Sequence, residues 1–145
     1  MYTFACSEER AELMAFRINH IHFKSRDPKT SADWFVKAFN FTIMTDEMRQ
    51  SGDRFIRCMT EDNGLQVNFS GERNGENLPE GVVGPYLGLE HFGIDSTDIH
   101  ADVARLSALG ATLDEGPRSG RGGQMVAFMH SPDGFRIELM QRPKG

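Results

Sequence analysis

Hydrophobic and polar residues alternate along Phe16–Lys24, with Phe16, Ile18, His20 and His22 on one face and Ile21 and Phe23 on the other, which predicts a strand. The period then changes. Ala32, Phe35, Val36 and Phe39 follow the i, i+3, i+4, i+7 spacing of a buried helical stripe. Asp27 is placed to cap that helix, Pro28 to open it, and Asn40 to take the left-handed conformation at its end. Three more strands are expected at about 41–48, 54–60 and 65–70, the last two joined at Asn63-Gly64, a strong hairpin signal.

The same order then recurs. A strand is expected at roughly Gly88–Asp95 and a helix carrying Ile99, Val103, Leu106 and Leu109, ending near Gly110. Strands follow at about 111–114, 124–130 and 135–141, the last two meeting at Asp133-Gly134. His20 falls on His91 and Asp27 on Asp98, 71 positions apart, whereas the two hairpin turns are 70 apart. One residue is therefore expected to be lost within the second helix, and an offset of 70 to hold from there on.

The reading is an α+β chain of two tandem β-α-β-β-β modules, 16–70 and 88–142, joined by a Gly- and Pro-rich linker at 71–87. They make one domain over 16–142, with 1–15 as an extension whose Met14 leaves a later start open. Each module has an open sheet covered on one face by its helix, and two side by side are expected to form a curved, mixed-sheet cup. Halves of about 55 residues are too small to be secure alone, so they should share a core.

Composition narrows the function classes. Sixteen basic against 21 acidic residues give a net charge of −5, which argues against nucleic-acid binding. Mean hydropathy is −0.45, and no apolar run approaches the roughly 20 residues of a membrane helix. Two cysteines exclude a disulfide framework and fit a reducing compartment, with Cys58 read as a small core residue. The opening residues lack a basic n-region and carry Glu8, Glu9 and Glu12, so the expectation is a cytoplasmic protein.

Four polar residues fall on equivalent strands of the two copies and are expected to converge around a pseudo-two-fold axis. His20 matches His91, and Asn68 in LQVNFS matches Glu138 in FRIELM. Two imidazoles and a carboxylate are the ligand set of a 2-His-1-carboxylate site with open positions, and Asn68 could be a neutral fourth ligand or a partner of bound water. His22 shares a face with His20 and has the titration range of an acid/base. Arg57 could hold a carboxylate, phosphonate or phenolate in two-pronged fashion, the alternative being a surface arginine. Gln66 lies on the same face as Asn68. The stretch GPRSGRGG at 116–123 reads as a mobile loop whose Arg118 and Arg121 could close on an anionic substrate. Tyr86 and Glu90 read as linker packing, and His100 and His130 as solvent-facing.

These motifs resemble the vicinal oxygen chelate superfamily, which includes glyoxalase I, methylmalonyl-CoA epimerase, fosfomycin-resistance thiol transferases and extradiol dioxygenases. The resemblance spans roughly 17–142 and rests on His20 and His91, each seven residues before an aspartate, and on HSPDGFRIELMQ at 130–141. It implies that His20, His91 and Glu138 hold a divalent metal (Fe, Mn, Ni, Co or Zn) that chelates adjacent oxygens of a small substrate. It also implies a homodimer in which the modules either pair within one chain or swap between two. Asn68 departs from the glutamate usual in glyoxalase I and is closer to the glutamine of the epimerases. Arg57 falls where the epimerases carry a catalytic glutamate.

Three functions follow in order. The first is a metal-dependent lyase or isomerase, with metal-stabilised oxyanion chemistry and His22 as base. The second is an Fe(II) extradiol-type ring-cleaving dioxygenase. The third is a thiol transferase of fosfomycin-resistance type, or a metal-free ligand-sequestering resistance protein.

Overall fold

The computed structural model describes residues 16–144, so the expected N-terminal extension lies outside the described residues. The first module runs β1 (His20–Lys24), α1 (Pro28–Phe39), β2 (Thr42–Met48), β3 (Arg54–Met59) and β4 (Gln66–Ser70). The second repeats it with β5 (Phe92–Asp95), α2 (Ile99–Ala108), β6 (Thr112–Ser119), β7 (Met125–His130) and β8 (Arg136–Gln141). Each module is a four-stranded mixed sheet, ordered β1-β4-β3-β2 and β5-β8-β7-β6, with only the first pair of each parallel.

Local chemistry sets the helix boundaries as expected. The Asp27 carboxylate accepts hydrogen bonds from the backbone N–H groups of Lys29 and Thr30, both at 3.1 Å, with Pro28 at the first position. Asp98 caps α2 through the N–H of Ala101 at 3.1 Å. Asn40 takes the left-handed conformation at φ 56°, and Gly110 does so after α2 at φ 94°.

Strand alternation sends one face of each sheet into a core shared by both modules. Ile56, Cys58, Val67 and Phe69 from one sheet join Ala127, Met129, Ile137 and Leu139 from the other, with Phe35, Ile99 and Leu106 from the helices. Phe23 of β1 stacks 4.4 Å from Phe135 and 5.6 Å from Phe92, so aromatic contact crosses the module boundary. Hydrogen bonds tie the same seam: Trp34 Nε1 donates to the Leu109 carbonyl, the Ser31 hydroxyl to Asp133 and Arg105 Nη2 to the Ala38 carbonyl. Burial pushes the Cys58 thiol up to about 11, as befits an inert core residue.

The structure corrects the expectations in four places. The first strand begins at His20, not Phe16; Phe16 and Ile18 are exposed, and alternation alone does not pair a strand with a neighbour. Likewise β5 begins at Phe92, beyond the glycines at 84 and 88. The stretch 116–123 is not wholly loop, because β6 continues to Ser119 and pairs Arg118 with Val126 and Ser119 with Met125. Its ladder is irregular around Pro117, which has no N–H to donate. Only Arg121–Gly123 form a turn. Finally, the offset of 70 does not persist: Arg57 pairs with Asn68 and Phe128 with Glu138, so Arg57 and Phe128 are counterparts 71 apart. A longer β6–β7 hairpin restores the residue lost in α2, and a shorter β7–β8 turn removes it again.

Candidate functional site

The residues expected to carry chemistry lie on the sheet faces turned away from the shared core. In the first module the registers set His22, Asn68, Arg57 and Thr45 side by side, with His20 opposite Gln66 in the next row. In the second module the equivalent row is Gly93, Glu138, Phe128 and Glu115. His91 immediately precedes β5 and shares the face of Gly93.

His91 and Glu138 meet. His91 Nε2 is 3.1 Å from Glu138 Oε2, while its other nitrogen, Nδ1, is 2.9 Å from Glu90 Oε2. Arg136 Nε lies 2.9 Å from the other Glu90 oxygen, off the line of a full hydrogen bond, so that contact is ionic. The Arg136 guanidinium also covers the Phe128 ring at 4.7 Å, and Phe128 sits edge-on to the His91 imidazole at 5.2 Å. His91 is thus fixed on three sides.

His20 and Asn68 do not join that pair. Among the described residues no three histidine, cysteine or carboxylate side chains are grouped to hold a metal ion. His20 Nδ1 bonds Asn19 Oδ1 at 2.5 Å, and Asn68 is buried, accepting from Gln66 Nε2 at 2.8 Å. Among the described residues a depression of about 2190 Å³ takes in His22 and His91 but not His20, Asn68 or Glu138. It exceeds the roughly 300–1,000 Å³ of a small-ligand pocket. One chain presents two half-sites on separate faces.

The first half-site is the more basic. His22 Nε2 bonds the buried Ser70 hydroxyl at 2.8 Å, and its ring meets Phe55 edge-on at 5.3 Å. Burial, then the positive charges of Lys24, Arg49 and His20, pull the His22 pKa below its ordinary value, with Asp53 opposing. A neutral imidazole able to accept a proton is the result. Arg57 is exposed, 5.7 Å from the Phe55 ring, and has no ion-pair partner among the described residues. Arg49 covers the same ring at 4.2 Å but is engaged by buried Asp53.

Of the other expected site residues, Arg118 is paired with Glu115 at 2.6 Å on the edge strand β6. Arg121 stands exposed on the following turn. Neither touches His91 or Glu138. His130, expected to face solvent, instead bonds Asp114 at 2.9 Å. Tyr86 donates to the Leu89 carbonyl within the linker. Glu90, read from the sequence as linker packing, instead holds His91, and Arg136 was not singled out at all. The available signal was that a polar acceptor precedes the histidine in both copies, Asn19 before His20 and Glu90 before His91.

The donor set fits a cation. In the tautomer that gives Nδ1–H to Glu90, His91 Nε2 and Glu138 Oε2 are both lone-pair acceptors 3.1 Å apart, an arrangement that a cation between them would satisfy. That separation is also what two ligands of one ion adopt when each bond is about 2.1 Å.

A model of the Glyoxalase/Bleomycin resistance protein/Dioxygenase superfamily matches residues 17–139. Over 57 residues the chain is 40% identical to a lactoylglutathione lyase of Arabidopsis thaliana, a match covering 38% of this chain but 20% of that protein. A glyoxalase family protein from Bacillus cereus has the same fold, with a TM-score of 0.77 at 13% identity, over 88% of this chain and 95% of that one. A Listeria monocytogenes fosfomycin resistance protein, solved with Mn(II) and sulfate, gives 0.67 at 16% identity, covering 90% and 95%.

Proposed function

The chain belongs to the glyoxalase/bleomycin resistance protein/dioxygenase superfamily, and on that premise we propose that it is a divalent-metal-dependent lyase or isomerase acting on a small substrate with adjacent oxygens. The observation that carries the reading is the His91–Glu138 pair, whose Nε2 and Oε2 atoms lie 3.1 Å apart. His20, with Asn68 or its bound water, completes the ligand set from a second copy, so that the basic face of one chain meets the acidic face of the other. The linker and the residues just after it support that pairing, because Val82, Val83, Tyr86, Leu87 and Leu89 are all exposed and offer apolar surface for a second chain to cover.

A divalent ion held there supplies Lewis-acid polarisation of the substrate oxygens. The chain's own residues do the rest. His22, kept neutral by its surroundings and held by Ser70, accepts the proton at its free Nδ1. Arg57 anchors an anionic group of the substrate, and Phe55 and Phe128 exclude water beside the two imidazoles.

Elemental analysis of the purified protein, with His91→Ala and Glu138→Gln beside it and lactoylglutathione as a first probe substrate, tests this. Metal and activity should vanish together in both variants, whereas full metal occupancy in both would sink the proposal. Bound iron with oxygen uptake on catechols would transfer the protein to the dioxygenase reading.

A further inference from the structure

We infer that Glu90, anchored by Arg136, is a positioning residue that sets the His91 tautomer and strengthens it as a metal ligand, and that Asn19 is its weaker counterpart for His20. The inference rests on the reading that His91 and Glu138 bind a divalent ion.

Three observations carry it. Glu90 Oε2 lies 2.9 Å from His91 Nδ1, where a carboxylate can only accept and so favours the tautomer with its proton on that side, while Nε2 is turned towards Glu138. Glu90 is itself fixed, because Arg136 lies 2.9 Å from its other oxygen and is only 9% exposed. The first module repeats the device independently: Asn19, 71 positions before Glu90, places Oδ1 2.5 Å from His20 Nδ1. An acceptor on the preceding residue thus engages Nδ1 in both copies and leaves Nε2 to face outward, towards Glu138 in the second.

The two differ in charge. A carboxylate accepting from an imidazole N–H raises the basicity of the opposite nitrogen and locks the ring, and loss of such a partner costs about 10–100-fold in metal affinity. An amide oxygen orients without adding charge. The second module should therefore be the stronger holder of the ion, with His20 the more easily displaced ligand. The Arg136 stack on Phe128 ties this network to the wall beside the His91 ring.

The test is Zn²⁺ affinity of the full-length chain by competition with a chromophoric chelator, together with imidazole N–H exchange in the zinc-loaded protein by NMR. Glu90→Leu should weaken Zn²⁺ binding about 10–100-fold and abolish the protected Nδ1–H signal of His91. Glu90→Gln, which keeps an acceptor, should restore the protected signal and part of the affinity, and Asn19→Leu should cost less than Glu90→Leu. Wild-type affinity in Glu90→Leu, or equally fast Nδ1–H exchange with and without Glu90, would overturn the inference. His91→Ala separates the two readings. If it loses zinc while Glu90→Leu does not, only the positioning role fails; if it binds zinc like wild type, the metal site itself is misplaced and the inference falls with it.

Discussion

Where the first module sets His22, Asn68, Arg57 and Thr45 across its four strands, the second sets Gly93, Glu138, Phe128 and Glu115. The scaffold is the same, down to the aspartate that caps each helix. The outer faces have diverged into complementary chemistry. One keeps a neutral histidine and a free arginine, suited to moving a proton and gripping an anion; the other keeps the histidine–carboxylate pair suited to a cation. The cores diverge too. Phe23, Phe35 and Phe69 of the first module stand where the second has Ile94, Leu106 and Leu139. A duplicated fold keeps its strand order, helix caps and apolar core positions, while the side chains that fill those positions and those that face outward are free to change.

The largest expected effect on stability follows from the core contrast. Phe35 touches Phe23, Phe69, Phe92 and Phe135, and so binds both modules at once. Phe35→Ala should cost about 3–5 kcal/mol, measured by chemical denaturation, and more than Leu106→Ala at the equivalent position. A larger loss from Leu106→Ala would mean that the aromatic cluster is not the main tie between modules.

A smaller effect should mark the first module alone. Asp53, buried just before β3, is held well below the usual carboxylate range by hydrogen bonds from Arg49 first and then Ser51; Gln124 stands at that place before β7. Because the folded pKa is depressed, the pair stabilises the protein above the unfolded value of about 4. That contribution is lost as pH falls through the lower folded value. Asp53→Asn should cost about 2 kcal/mol at neutral pH and flatten the acid side of the stability curve. An unchanged acid slope would contradict the assignment.

Much of this was legible in the sequence. Hydrophobic period, the Asp caps and the two hairpin turns placed both α-helices of the described residues and nearly every strand, and the repeat matched Glu138 with Asn68 on equivalent strands. Three things were not legible, each for a physical reason. Alternation tells which residues share a face but not which faces meet, so the outward turning of both polar faces emerged only with the shared core. Compensating one-residue changes in two hairpins are invisible to a fixed offset, which hid the correspondence of Arg57 to Phe128. Glu90 precedes its strand, where alternation no longer predicts side-chain direction, and so its contact with His91 was missed.

The central claim is that each metal site joins the basic face of one chain to the acidic face of another. Mixing His20→Ala with His91→Ala, after unfolding and refolding together, tests it most directly. Neither variant alone should hold a site of wild-type affinity. A swapped pair holds one wholly wild-type site, so random dimers should bind metal at about a quarter of the wild-type level by that symmetry. A mixture that binds no more than either variant alone would contradict the account.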